Sequence, residues 1–200
     1  KLITEAASTN THCVFSYDKQ QTLHSSESKM DVEGKINAIG SLKKYKLSEK
    51  IRTNKEIANF IKILFNSKRN NISVSNSENI DFEYFTDSSN VKNYLELVAS
   101  EGWEVLRLTP SRFNTEHHES YSQVCSQNSH RVIGQEFDNV AVVIDQHFSY
   151  DSSGLLTYNS ITYYDSVKML FQNITRTRKK LKLIIIGNQQ VLNRCLSTLK

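Results

Sequence analysis

Two apolar runs without alternation stand out along the chain: Val140-Ala141-Val142-Val143-Ile144, closed by Asp145, and Leu183 to Ile186, closed by Gly187-Asn188. A strand with one wet face alternates polar and apolar residues, whereas an unbroken run signals a strand covered by helices on both faces of a parallel sheet. Elsewhere the period is that of helices. Ile57, Phe60, Ile61 and Leu64 fall at i, i+3, i+4 and i+7, and Thr53 with Glu56 has capping-box spacing, so a helix is predicted to start at Thr53. Ile80 to Phe85 is predicted as a strand with Ile80, Phe82 and Tyr84 on one face. Ser88 or Ser89 is placed to cap a helix whose stripe is Val91, Tyr94, Leu95 and Val98, with Gly102 at its end, and Trp103 to Leu108 is the next strand. Strand, helix and strand within about thirty residues predict a right-handed crossover and a parallel sheet.

The rest of the pattern is weaker. Leu2 to Ser8 is expected to end a helix and His12 to Ser16 to form a short strand. Thr22 to Lys46 is polar, with scattered Ser and Gly, and is expected to be a crossover or linker with one short helix and a domain boundary. Ser120 to Ser129 is polar and leads through a short strand into His130, and Asp151 to Ser160 is expected as a loop. Ser166 is placed to cap a helix with Val167, Leu170, Phe171 and Ile174 inward. Continued as a helix, Arg176 and Arg178 stand about 200° apart, so only one of them faces a given ligand. Val191, Leu192, Cys195, Leu196 and Leu199 form a closing amphipathic helix.

Composition narrows the class without choosing a function. With 200 residues, 38% of them hydrophobic, and 25 basic against 21 acidic side chains, the chain has the make-up of an ordinary globular protein. A net charge of +4 permits nucleic acid as a partner without demanding it. Cys13, Cys125 and Cys195 are far apart and form no CxxC pair, which points to free, mostly structural thiols in a reducing compartment, and a cytoplasmic protein is expected. No apolar run reaches membrane-spanning length. His117-His118-Glu119 is not expected to bind metal, because adjacent histidines on an extended chain point opposite ways and no further ligand stands at a supporting spacing.

Several short stretches then fall into one order. His130-Arg131-Val132-Ile133-Gly134-Gln135-Glu136-Phe137 resembles the fifth motif of superfamily 1 DNA/RNA helicases, H-S-x-K-G-x-E-F, and Thr175-Arg176-Thr177-Arg178 resembles their sixth, T-R-A-R. Ile133 replaces the usual lysine and Arg131 the usual small residue. Asp18 to Gln21 resembles the third motif, G-D-x-x-Q, with Tyr17 in place of the Gly. The segment around Arg52 resembles the fourth, N-Y-R-S-x-x-x-I. The Gly134-Gln135-Glu136-Phe137-Asp138-Asn139-Val140 step is similar to that of the Schlafen-like helicase group.

The resemblance implies an α/β chain with a RecA-like three-layer fold and a mostly parallel sheet. Residues 1–30 would then close a first RecA-like domain and residues 31–200 form the second. It further implies ATP in a cleft between the two domains, with Mg2+ held by the other one. Arg52 and Arg176 would be the cations on the transferred phosphoryl group, Gln21 would orient the water, and Asp18 would lie beside the terminal phosphate. Gly134 would let the backbone N–H approach that phosphate, Glu136 would accept from the ribose hydroxyls, and Arg178 would add nucleotide contact. Arginine suits this work because its planar fork stays charged and binds phosphate oxygens in pairs. On the nucleic-acid side, Thr109, Ser111, Arg112, His130 and Arg131 are candidates for contact with a single strand.

No G-x-x-x-x-G-K-[ST] loop is present; Gly34-Lys35 lacks the earlier Gly, and Ile36 stands where a metal-binding hydroxyl is needed. The expectation is therefore that an N-terminal RecA-like domain of the same protein completes the ATP site. A non-catalytic RecA-like interaction or regulatory module is the alternative.

Overall fold

The computed structural model describes residues 12–18, 22–24, 29–40, 42–45, 53–70 and 78–198, with single positions 5, 8 and 26. The chain divides into two units, Lys1–Glu49 and Lys50–Lys200. In the first unit, α1 (Val32–Asn37) is the expected short helix; Asp31 caps it by accepting from the Gly34 N–H, and Ile36 is buried. Residues 12–18 take no regular structure and are mostly exposed, so the strand expected at His12 to Ser16 does not form.

The second unit contains α2 (Lys55–Leu64), β1 (Ile80–Phe85), α3 (Val91–Ser100), β2 (Glu104–Arg107), α4 (Glu119–Ser122), β3 (Gln127–Asn128) and β4 (Phe137–Ile144). These are followed by β5 (Phe148–Tyr150), β6 (Leu156–Tyr158), α5 (Ser166–Ile174), β7 (Thr177–Ile186) and α6 (Gln189–Leu196). Five strands form one sheet in the order β1-β7-β4-β2-β3, every neighbouring pair parallel. The two unbroken apolar runs are its centre: Val140 pairs with Leu181, Val142 with Leu183 and Ile144 with Ile185, and all six are buried. β1, at an edge, alternates as expected, with Asp81 and Glu83 exposed.

The crossover from β1 through α3 to β2 passes over β7 and β4, while β4 runs through α5 to β7 in the opposite direction. With both crossovers right-handed, α3 and α5 lie on opposite faces, giving three layers. Val91, Leu95 and Val98 of α3 and Tyr121 of α4 pack with Val105, Ala141, Val143, Ile184 and Ile186 on one face. On the other, Phe60 of α2 meets Phe82, with ring centroids 5.6 Å apart. Arg194 of α6 locks that helix to the end of α2 by donating to the carbonyls of Ile63, Asn66 and Arg69. This is the α/β class with a mostly parallel sheet that the RecA-like resemblance implies.

Local details differ from the pattern. α2 is capped by Asn54, which accepts from the Ile57 N–H at 2.8 Å, while the Thr53 hydroxyl donates to the Thr177 carbonyl. Asp165 rather than Ser166 caps α5, and neither Ser88 nor Ser89 caps α3, whose N-cap Asn90 makes no side-chain bond. The span 151–160 is not all loop: residues 156–158 pair antiparallel with 148–150. Its turn comes so close to the segment after α2 that a Cβ on Gly154 would stand 2.7 Å from Lys68 Cγ and 3.2 Å from the Lys68 backbone N, and with φ at 83° the position favours glycine. Leu196 is exposed, so the inward stripe of α6 rests on Val191 and Cys195.

The helix carrying Ser166 stops at Ile174 instead of continuing through Arg178. The Thr175 and Thr177 hydroxyls take up the Gln172 and Ile174 carbonyls, and the Phe137 N–H donates to the Arg176 carbonyl at 2.9 Å, drawing the chain into the sheet. Arg178 is therefore a strand residue, and the helical angle between the two arginines does not apply.

Candidate functional site

β4 and β7 begin side by side, Phe137 opposite Thr177, and four of the sequence candidates gather there. The chain comes to this point through a turn over Ser129–Gly134, held by hydrogen bonds from Val132 N to the Asn128 carbonyl and from Gln135 N to the Val132 carbonyl. Gly134 has φ 84°, a left-handed conformation costly for other residues, and no atom lies within 4 Å of where its Cβ would be. Its backbone and the Glu136 side chain are open to solvent.

Arg176 is 2% exposed. Its Nε donates to the Gln172 carbonyl at 3.3 Å, Nη2 to Gln172 Oε1 at 3.3 Å, and Nη1 to the Gln135 carbonyl at 3.4 Å. The residue assigned to the phosphoryl group is thus the tether between α5 and the Gly134–Gln135 turn. Arg178, with a side chain 58% exposed, lies 3.7 Å from Asp138, and Lys179 Nζ lies 2.7 Å from the same carboxylate. The hydrogen bond from Lys179, more than the nearby charges, holds the Asp138 carboxyl below its ordinary range. The register between β4 and β7 slips between Phe137 and Asn139, a bulge that turns these charged residues outward.

The Gly134 turn leaves open space beside its backbone, and Glu136 is exposed, whereas the Arg176 fork is engaged inside the protein. Gln21 and Arg52 lie outside the described residues, and Asp18 is exposed in the Lys1–Glu49 unit.

The nucleic-acid candidates gather at the opposite end of the sheet, where β2 and β3 stop. Thr109 Oγ1 bonds His130 Nδ1 at 2.8 Å and Asn128 Oδ1 at 3.1 Å, and His130 N–H donates to both of those oxygens at 3.2 Å. Ser111 Oγ accepts from the Phe113 N–H. Arg131 is exposed, and its Nη1 donates to the Ser126 carbonyl at 3.3 Å. The residues between His130 and Glu136 carry the chain from this end of the sheet to the other, so the motif that is contiguous in sequence is divided between the two ends.

Sequence reasoning passed over a buried polar cluster. Asp145, wholly buried where β4 stops, accepts from Tyr121 Oη at 2.8 Å, Tyr158 Oη at 3.1 Å and the His147 N–H at 3.0 Å. Burial first, and then the Asp145 charge, pushes both phenols well above the ordinary tyrosine range. Beside it, His118 Nε2 and Glu116 Oε2 form a buried pair 2.8 Å apart. A carboxylate ending an apolar run was the visible signal, but its partners come from segments with no pattern of their own. Cys125 and Cys195 are buried, with thiols pushed up to about 11 and about 12 by burial, as expected of structural cysteines, and Cys13 is exposed. Among the described residues no helix is long and apolar enough to cross a membrane.

No protein-family model matches this chain, and no curated protein matches it. Among solved structures, the C-terminal domain of a possible DNA helicase from Lactobacillus plantarum WCFS1 is similar to it at a TM-score of 0.42 and 15% sequence identity, over 72% of this chain and 92% of that one.

Proposed function

We propose that this chain is the second RecA-like domain of an ATP-dependent superfamily 1 DNA/RNA helicase or translocase, working against an N-terminal phosphate-loop domain that holds Mg2+. The observation that carries this reading is the joint between its two most specific motif-like segments. Arg176 reaches 41 residues back to the Gln135 carbonyl through its guanidinium, and its own carbonyl accepts from the Phe137 N–H. Segments that must act on one ligand are thereby held as one piece.

Bound ATP would supply the phosphoryl group for transfer to water. The chain's contribution is positional: Gly134 offers a backbone N–H unobstructed by a side chain, Glu136 accepts from ribose hydroxyls, and Arg52, Arg176 and Arg178 supply positive charge. Gln21 and Asp18 belong to the water and phosphate side. Thr109, Ser111, His130 and Arg131 contact a single strand of nucleic acid. The Schlafen-like affinity rests on the step from Gly134 to Val140 alone.

The burial of Arg176 favours a second reading, a RecA-like interaction module that keeps the joint and has lost the chemistry. Nucleic-acid-stimulated ATP hydrolysis by the polypeptide that joins this chain to its phosphate-loop domain separates the two. Under the first reading Arg176→Ala abolishes turnover and leaves nucleotide binding largely intact, and the 200-residue chain alone binds ATP poorly and does not hydrolyse it. Wild-type turnover in Arg176→Ala moves the role to Arg178 or removes it, and absence of turnover in the unmutated joined protein selects the interaction module.

A further inference from the structure

β2 and β4 stay paired only as far as Leu106 and Val142; from Arg107 onward β2 follows β3, and β4 runs on beside β7 to Ile144. Asn173 of α5 takes up carbonyls that this parting leaves over. Its Nδ2 donates to Leu106 O at 3.3 Å and to Arg107 O at 3.0 Å. With both amide protons spent on carbonyls the orientation of the amide is fixed, and Asn173 Oδ1 is an acceptor with no partner among the described residues. Two more buried atoms share that condition, Arg107 Nε, which is a donor, and His118 Nδ1. Glu116 accepts from the Tyr163 N–H through Oε1 and meets His118 Nε2 at 2.8 Å through Oε2. Its carboxylate therefore serves as the acceptor and Nε2 carries the proton, which leaves Nδ1 of the neutral ring as a second acceptor. His118 is 1% exposed and Asn173 0%. Arg107, His118 and Asn173 line one small cavity together with Tyr121, Cys125 and Leu170, and it has room for about one water molecule.

We propose that this cavity is a binding site for a single internal water, held by Arg107 Nε, His118 Nδ1 and Asn173 Oδ1. The chemistry of the three groups selects the ligand. It must accept one hydrogen bond, donate two and be no larger than one heavy atom, which describes water. An anion would turn its lone pairs toward those of Oδ1 and Nδ1, and a cation would meet the Arg107 guanidinium. A buried polar atom without a partner is costly, so three around one cavity gain together from one occupant. The water ties β2 and the residue that enters α4 to α5 at the point where the sheet opens. The site is independent of the nucleotide and nucleic-acid roles above and stands whichever reading of them holds.

The test is a crystal structure of the 200-residue chain, grown once in sodium chloride and once in sodium bromide. The expected result is one peak of oxygen-like density within hydrogen-bond reach of all three atoms, with no anomalous signal there in bromide. A cavity without density overturns the site, and an anomalous peak overturns water in favour of a halide. In solution, oxygen-17 relaxation dispersion counts long-lived internal waters. Arg107→Met keeps the stem of this half-buried side chain and removes the donor. It is expected to shorten the residence time of one such water roughly tenfold, or to remove it from the count. Cys125→Leu, which fills the cavity, is expected to remove the same water and to lower the melting temperature, because three polar atoms then lose their partner. Thermal unfolding of each variant confirms the fold. An unchanged dispersion in both folded variants overturns the proposal. So does a Cys125→Leu chain that melts above the unmutated one, since filling stabilises a dry cavity and not a hydrated polar one.

Discussion

The two ends of the parallel sheet are built on different plans. Where β4 and β7 start, the groups on offer come from two short contiguous stretches, residues 134–138 and 176–179, and apart from Arg176 and Thr177 most of them face solvent. Where β2, β3 and β4 stop, Thr109, Tyr121, His130, Asp145 and Tyr158 come from well-separated segments and bond mostly to one another. A solvated, locally encoded end can exchange its internal contacts for a ligand at small cost in stability, while an end assembled from distant side chains is part of what holds the domain together. Arg176 is the exception at the first end, a buried cation in an otherwise open site.

The comparison is broken most readily at Asp145. Asp145→Ala strands two phenol donors and a backbone N–H, and a loss of about 3 kcal/mol in urea unfolding is expected. A loss below about 1 kcal/mol would make the two ends equivalent. Next comes Arg176→Ala, which frees the Gln135 and Gln172 acceptors; about 2 kcal/mol is expected in the isolated chain, with little recovery in Arg176→Lys, whose ammonium lacks the fork. Gly134→Ala places a side chain at φ 84° in open space, so backbone strain alone decides, roughly 1–2 kcal/mol by chemical denaturation, and less for Gly134→Asn.

The pH dependence sharpens the same contrast. The Tyr121 and Tyr158 phenols are raised in the folded chain, so their contribution is present in full below the unfolded tyrosine value of about 10 and is lost as pH rises above it. Ultraviolet titration should show these two ionising only with alkaline unfolding, and a normal midpoint in the folded protein would contradict the network. Asp138, at the open end, is lowered, so its contribution holds above the ordinary carboxylate range and fades as pH falls through the folded value. Its salt bridges are exposed, and Asp138→Asn is expected to leave the melting temperature where it was.

The sequence by itself determined the centre of the fold. Unbroken apolar runs require cover on both faces, and that requirement marked β4 and β7 as interior strands of a parallel sheet, while their adjacency came from the structure. It also determined which residues share the open end, because Gly134, Glu136, Arg176 and Arg178 sit beside those runs. The tertiary structure decided the rest. It ended α5 at Ile174, because the Arg176 carbonyl gains a sheet hydrogen bond that a continuing helix would forgo, and so it separated a buried Arg176 from an exposed Arg178. It chose Asn54 and Asp165 over Thr53 and Ser166 as caps, since those hydroxyls found partners elsewhere. It also assembled Asp145 with Tyr121 and Tyr158, and His130 with Tyr164, Tyr163 and Phe113. Periodicity records which side of an element is dry; it does not record which distant side chain will meet a given carboxylate or ring, because that depends on how the crossovers bring separate segments to one end of the sheet.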